Sequence, residues 1–102
     1  IQGCVGISFN SKEKQRHKAT VFGMYVCHNA RGTGLGHALL QTALLEAKKR
    51  TGVKIVQLTV TSGNIVAEKL YLSAGFVVFG TEPYAIAVAD RYLSKRHMWK
   101  KL

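Results

Sequence analysis

Arg31-Gly32-Thr33-Gly34-Leu35-Gly36 is the stretch of this sequence best suited to chemistry. Its glycines let the backbone turn through positive φ and let an anion approach without meeting a Cβ. An apolar run ending at Tyr25-Val26-Cys27 leads in through His28-Asn29-Ala30, and a helical pattern opens directly afterwards at His37-Ala38. The first N–H groups of a helix have no partner within it, so they would point into the space the glycines leave open. Arg31 adds a fixed cation. A phosphate or pyrophosphate is the ligand class that fits.

Three kinds of glycine loop compete for this segment. A P-loop needs Lys followed by Ser or Thr after the last glycine, and His37-Ala38 stands there instead. A dinucleotide fingerprint counted from Gly32 finds Gly34, but its next glycine position is His37, and no acid ends the following strand at Val60. What remains is Arg-x-x-Gly-x-Gly, filled by Arg31, Gly34 and Gly36. A glycine-rich turn without a ligand is the plainer reading of the same residues. The four histidines (His17, His28, His37 and His97) show no ligand spacing with one another or with Cys4 and Cys27, so a metal site is not expected.

The elements that would position the loop follow from the apolar pattern. Ile1–Phe9 reads as a strand, Asn10–His17 as a polar hairpin loop, and Lys18–Cys27 as a second, antiparallel strand in which Gly23 marks a bulge or a close approach. A helix runs from about Gly34 to Arg50, with Leu35, Ala38, Leu39, Thr42 and Leu45 on one stripe, widened by Leu40, Ala43, Leu44 and Ala47. Lys48, Lys49 and Arg50 suit its C-terminal end, and Gly52 follows as a stop. Val53–Val60 is a strand and Asn64–Ala74 a short helix with apolar Ile65, Leu70 and Leu72. Gly75 is the helix exit, Phe76–Gly80 a strand, Thr81–Asp90 a connection holding the only proline, Pro83, and Arg91–Leu102 a last strand paired with the one before. The order β-β-α-β-α-β-β is an α/β arrangement with a mixed sheet, its central β-α-β unit implying a parallel pair.

At 102 residues the chain holds one domain at most. Two cysteines cannot make a disulfide framework; both sit in apolar runs and are expected as small buried side chains, in a reducing, cytoplasmic setting. No apolar run is long enough to cross a membrane. The net charge is +10, concentrated in Lys12–Lys18, Lys48–Lys54 and Arg91–Lys101. Such charge favours polyanions. No zinc-finger spacing and no aromatic RNP-type strand accompanies it, so nucleic acid is not an expected partner on motif grounds.

Taken together, these residues resemble the GNAT N-acetyltransferase superfamily. Its pyrophosphate motif, Gln/Arg-x-x-Gly-x-Gly/Ala between a strand and a helix, is matched by Arg31, Gly34 and Gly36, with Leu39-Leu40 in the helix. Leu58-x-Val60, then Asn64, Ala67, Tyr71 and Gly75-Phe76, looks like the family's second block, and Met98 to Leu102 is similar to the end of its last strand. The match covers most of the chain from about His17 onward.

The resemblance implies a GNAT-like fold and acetyl-CoA as co-substrate, with the acetyl group moved to a primary amine of a small molecule or protein. Met24, Tyr25 and Val26 would pair with the pantetheine arm. Amides from about Arg31 to Ala38, through Gly32, Thr33, Gly34, Leu35, Gly36 and His37, would take the pyrophosphate. Asn64 and Ala67 would contact the arm or the helix start, and Tyr71 would be the general acid for the departing thiolate. The departures are specific. His28 replaces a frequent proline, and Lys18–Cys27 lacks the carboxylate that often acts as base. Ser94 and Lys95 stand where acids are common, which disfavours a cationic acceptor there. The family fold also begins with a strand and helices not seen here, so an N-terminally incomplete domain over residues 1–102 is expected. A non-catalytic acyl-CoA-binding remnant, or a basic module binding RNA or an acidic protein, are the alternatives. Many relatives pair through their final strands, which raises a homodimer through the Arg91–Leu102 edge.

Overall fold

A computed structural model of the chain describes residues 2–102. The elements are β1 (Gly3–Phe9), β2 (Lys18–Val26), α1 (Leu35–Lys49), β3 (Ile55–Thr61), α2 (Ile65–Ser73), β4 (Val77–Val88) and β5 (Arg91–Lys101). Hydrogen-bonded neighbours run β1-β2-β3-β5-β4, one mixed five-stranded sheet. Two compact units divide the chain: residues 2–56 with 101–102, and residues 57–100, with β3 passing from the first into the second.

In the first unit β1 and β2 are antiparallel, and the register slips where Cys4 pairs with Tyr25 but Gly6 with Phe22. One extra residue is therefore accommodated on β2, and Gly23, at φ +62°, is where the strand absorbs it. His17, just ahead of β2, accepts bonds from the amides of Lys54 and Ile55, which open β3. The two strands thus start side by side and are parallel, joined through α1 as a βαβ crossover.

Helix α1 packs on β1 and β2, but not in the phase the apolar pattern predicts. The buried line is Leu40, Ala43, Leu44 and Ala47, the set expected only to widen the stripe, whereas Ala38 and Thr42 are exposed and Leu45 is 56% exposed. Leucine and alanine occur on nearly every side of this helix, so several stripes find support. The small Ala43 and Ala47, at 4% and 0% exposure, let the helix axis approach the strands closely.

The cysteines also depart from expectation. Cys4 is exposed and Cys27 half-buried. Gly3 faces Leu35 and Leu39 of α1, so its neighbour Cys4 points to the opposite face, where Phe22 and Tyr25 are also about half exposed.

β3 alternates as a half-buried strand should, with Val56 of the first unit and Leu58 and Val60 of the second buried along it. α2 buries only Tyr71; Ile65 and Leu72, two of its apolar positions, are 61% and 51% exposed. On nine residues a period of 3.6 is sampled barely twice, so composition misleads. Thr81 to Val88, expected as a connection, instead continues β4 through Pro83. β4 ends the strand order, and its register slips between Glu82 and Ile86, so Pro83 sits where a missing N–H is tolerated. The final strand is no edge, since β5 lies between β3 and β4. The Arg91–Leu102 strand is thus flanked by β3 and β4 rather than being the free edge expected for pairing with a second copy.

The phase of α1 is open to direct measurement. Leu40→Ala should cost about 2–5 kcal/mol in urea unfolding, the range for emptying a filled core position. Leu45→Ala should cost well under about 1 kcal/mol, as surface changes do. Equal costs would restore the predicted stripe.

Candidate functional site

The loop after β2 is built from short local bonds. Ala30 N–H bonds to Cys27 O, Arg31 N–H to His28 O and Thr33 N–H to Ala30 O, and Thr33 Oγ1 also donates to Ala30 O. Ala30 is buried beneath this turn. Arg31 is exposed and its Nε donates to Val26 O at 3.2 Å, which holds the guanidinium beside the end of β2 and leaves its other N–H donors available.

Gly34 is the N-cap of α1, at φ +86°, and Gly32 stands at φ +81°. A Cβ added at either would meet nothing within 4 Å. The space over the loop is open, and it is backbone conformation that requires glycine. The first internal bond of α1 runs from Ala38 N–H to Gly34 O at 3.0 Å, and no side-chain cap serves this helix start. By helix geometry the amides of Leu35, Gly36 and His37 have no partner within the helix. These, with the positive end of the dipole and Arg31, make a geometry suited to an anion, an anion cradle. Of the amides from Arg31 to Ala38, those of Arg31, Thr33 and Ala38 bond within the chain.

Met24 and Val26 are half-buried on β2, and Tyr25 between them is 49% exposed. These residues and the loop through His37 belong to the first unit, whereas Asn64, Ala67 and Tyr71 belong to the second. Asn64 is the N-cap of α2; its Oδ1 accepts from Ala67 N–H at 3.3 Å, which places it at the helix start and uses the Ala67 amide. Tyr71 lies one turn beyond Ala67 on the same side of α2. Its carbonyl accepts from both Ala74 and Phe76, and its ring meets Phe76 edge-on at a centroid distance of 6.0 Å. Tyr71 is 5% exposed, and burial pushes its phenol above 10.0 by disfavouring the phenolate.

One contact escaped the sequence. Glu68, a turn before Tyr71, pairs with Arg96 of β5, with its side chain only 15% exposed. The partners are 28 residues apart, and no spacing rule joins them. Two other acids are also paired, Glu82 with His97 and Glu46 with Lys49, each at 3.2–3.3 Å.

A strand, an uncapped glycine turn and a helix in a mixed sheet define an α/β domain with an open helix start after β2. The comparisons supply the family. The acetyltransferase (GNAT) family profile matches residues 1–76, beginning earlier than His17 and stopping before β4, and the chain belongs to that family. Its structure is similar to a GNAT-family acetyltransferase from Streptococcus pneumoniae, with TM-score 0.93, 27% identity, and coverage of 100% of this chain and 61% of that one. It is similar to a ribosomal-protein-alanine N-acetyltransferase from Brucella melitensis, with TM-score 0.85, 32% identity, and coverage of 98% and 61%. It is also similar to yncA, described as a putative acetyltransferase from Salmonella typhimurium, solved with its cofactor acetyl-CoA, with TM-score 0.87, 25% identity, and coverage of 99% and 58%. The chain thus spans about three-fifths of the length of these proteins. No curated protein matches it. The family uses acetyl-CoA.

The buried phenol has a readable titration. The difference in ultraviolet absorbance between the parent and Tyr71→Phe should rise only above pH 10.0. The folded pKa lies above the unfolded one, so this contribution to stability is fully present below about pH 10 and is lost as pH climbs through the folded value. Tyr71→Phe should be less sensitive to alkali than the parent. A difference signal centred at or below pH 10.0 would place the phenol in solvent.

Proposed function

We propose that this chain carries the cofactor-binding and proton-donating part of an acetyl-CoA-dependent N-acetyltransferase acting on a primary amine of a small molecule or protein. The uncapped start of α1 is the observation that carries this reading. Leu35, Gly36 and His37 present N–H groups, Gly34 leaves the approach open, and Arg31 flanks it. The donor set fits a pyrophosphate. When bound, acetyl-CoA supplies the activated acetyl thioester. Met24 and Val26 line the arm along β2, and the Val26 N–H is the proposed donor to the oxyanion.

The amine must arrive neutral, because only its lone pair can attack the carbonyl. The C–N bond forms as the C–S bond breaks, the nitrogen loses one proton and the sulfur takes one. Tyr71 gives the second proton: a phenol, which ordinarily titrates at about 10, is protonated at neutral pH, as an acid must be. The first leaves through water. Glu46 pairs with Lys49, Glu68 with Arg96, and Glu82 meets His97, so each of these carboxylates already has a partner in the chain. A protein amino group as acceptor is supported by the likeness to the Brucella melitensis enzyme, whose name specifies a ribosomal-protein alanine.

Melting temperature with and without acetyl-CoA tests the cradle. At about 100 times its dissociation constant the ligand should stabilise the parent by roughly 2.7 kcal/mol. Gly34→Asp, read against its own unliganded melting temperature, should show almost no shift, because a carboxylate would stand where the pyrophosphate goes. No shift in a folded parent would overturn the cofactor reading. Where turnover with an alanine-ended peptide is measurable, Tyr71→Phe should lower kcat by about a hundredfold or more with KM for acetyl-CoA little changed. A rise in KM alone would remove the general-acid role.

A further inference from the structure

The charge that motifs left unexplained has a definite place in the fold. β2 begins at Lys18 and ends at the glycine loop, whereas α1 begins at that loop and ends at Lys49. The opposite end of the first unit therefore gathers the β1–β2 hairpin, the last turn of α1 and the entry to β3. Three contacts fix this gathering. Arg50 lies over the ring of Phe9 at 4.3 Å, His17 O accepts from the amides of Lys54 and Ile55, and Leu102 N–H bonds to Lys54 O.

Nine of the fifteen lysines and arginines stand in these segments: Lys12, Lys14, Arg16 and Lys18 on the hairpin, Lys48, Lys49 and Arg50 on the helix, and Lys54 and Lys101 beside them. Only Glu13 and Glu46 oppose them, and all nine cations except Lys18 are exposed. A 15-residue helix is about 22 Å long, so this surface lies some 20 Å from the anion cradle and is not part of it.

We infer that this basic end is a docking surface for the phosphate backbone of duplex nucleic acid. Its cations come from four separate segments of the chain that meet at one end of the unit. Phosphate backbones are recognised this way, by distributed lysines and arginines that carry no sequence information. Leu45, 56% exposed one turn before Lys48 and Lys49, is the one large hydrophobic side chain exposed across residues 10–18 and 45–56, so this end lacks the set of apolar anchors with which an interfacial helix enters a lipid surface. The inference does not rest on acetyl-CoA binding, and the two can fail separately.

Fluorescence anisotropy of a short labelled RNA duplex, with a DNA duplex of the same sequence beside it, tests the surface. The parent should bind with steep salt dependence between about 50 and 200 mM. Replacing Lys12, Lys14 and Arg16 by Gln should flatten the log–log salt slope by about two to three and weaken both duplexes alike. Replacing Lys48 and Lys49 by Gln should act in the same direction. Replacing Arg91, Lys95 and Lys100 by Gln removes as much charge from the second unit and should change the slope little. Unchanged melting temperatures would show that the variants stay folded. Equal losses in the Arg91 set would mean diffuse attraction and overturn the surface. So would a parent that binds neither duplex, or one that binds phosphatidylserine vesicles in their place.

Discussion

Leu35, Gly36 and His37 enter α1 with N–H groups that no carbonyl of the helix can reach, and the chain supplies no side chain to cover them. Most helices close this end with a serine, threonine, aspartate or asparagine. Here the cap is a left-handed glycine, which completes the turn and adds nothing above it. The neighbouring structure conforms to that choice. Ala30 is buried under the turn, Thr33 braces the Ala30 carbonyl, and Arg31 is tethered to the last residue of β2. An uncompensated helix start facing open space costs little in water and much when covered by apolar groups. The arrangement is stable when hydrated and gains most from an anion.

The second helix shows the contrast. α2 begins with Asn64, whose Oδ1 satisfies the Ala67 amide, so its start is partly closed from within. Its far end is tied down as firmly, with the Tyr71 carbonyl accepting two amides and Gly75 turning the chain at φ +98°. Tyr71 is thus fixed by its backbone and by Phe76, while the Glu68–Arg96 pair joins the same helix to β5. Burial disfavours the phenolate, and the helix holds the ring in place.

What the sequence disclosed and what it hid divide along a physical line. Gly23, Gly34, Asn64 and Gly75 were legible because positive φ and helix capping are local demands that few residue types meet. The hairpin, the crossover and the anion loop follow from those local signals. Packing was not legible. Leu45 and Leu40 look alike in a list of apolar positions, and only the close approach allowed by Ala43 and Ala47 says which faces the strands. Strand order is a long-range property, so the final strand read as an edge although β5 is flanked on both sides. Pro83 read as a break because its missing N–H matters in a central strand and not on an edge that already slips register.

Charge in the first unit is likewise arranged by the helix. The C-terminal end of α1 carries a partial negative charge that a nearby cation or two complements, for about 0.3–1 kcal/mol each. Lys48 and Lys49 are sufficient for this, and Lys49 is also engaged by Glu46. Helix stability therefore accounts for two of the nine cations at that end. Arg50 stands at the C-cap of the same helix, whereas the remaining six come from other segments, and crowding them together costs self-repulsion that only partners or solvent ions relieve. The two ends of α1 thus attract anions by different physics. At its start fixed amides form a small and directional cradle, whereas at its end mobile side chains form a broad one. A single compact anion fits the first and an extended polyanion the second.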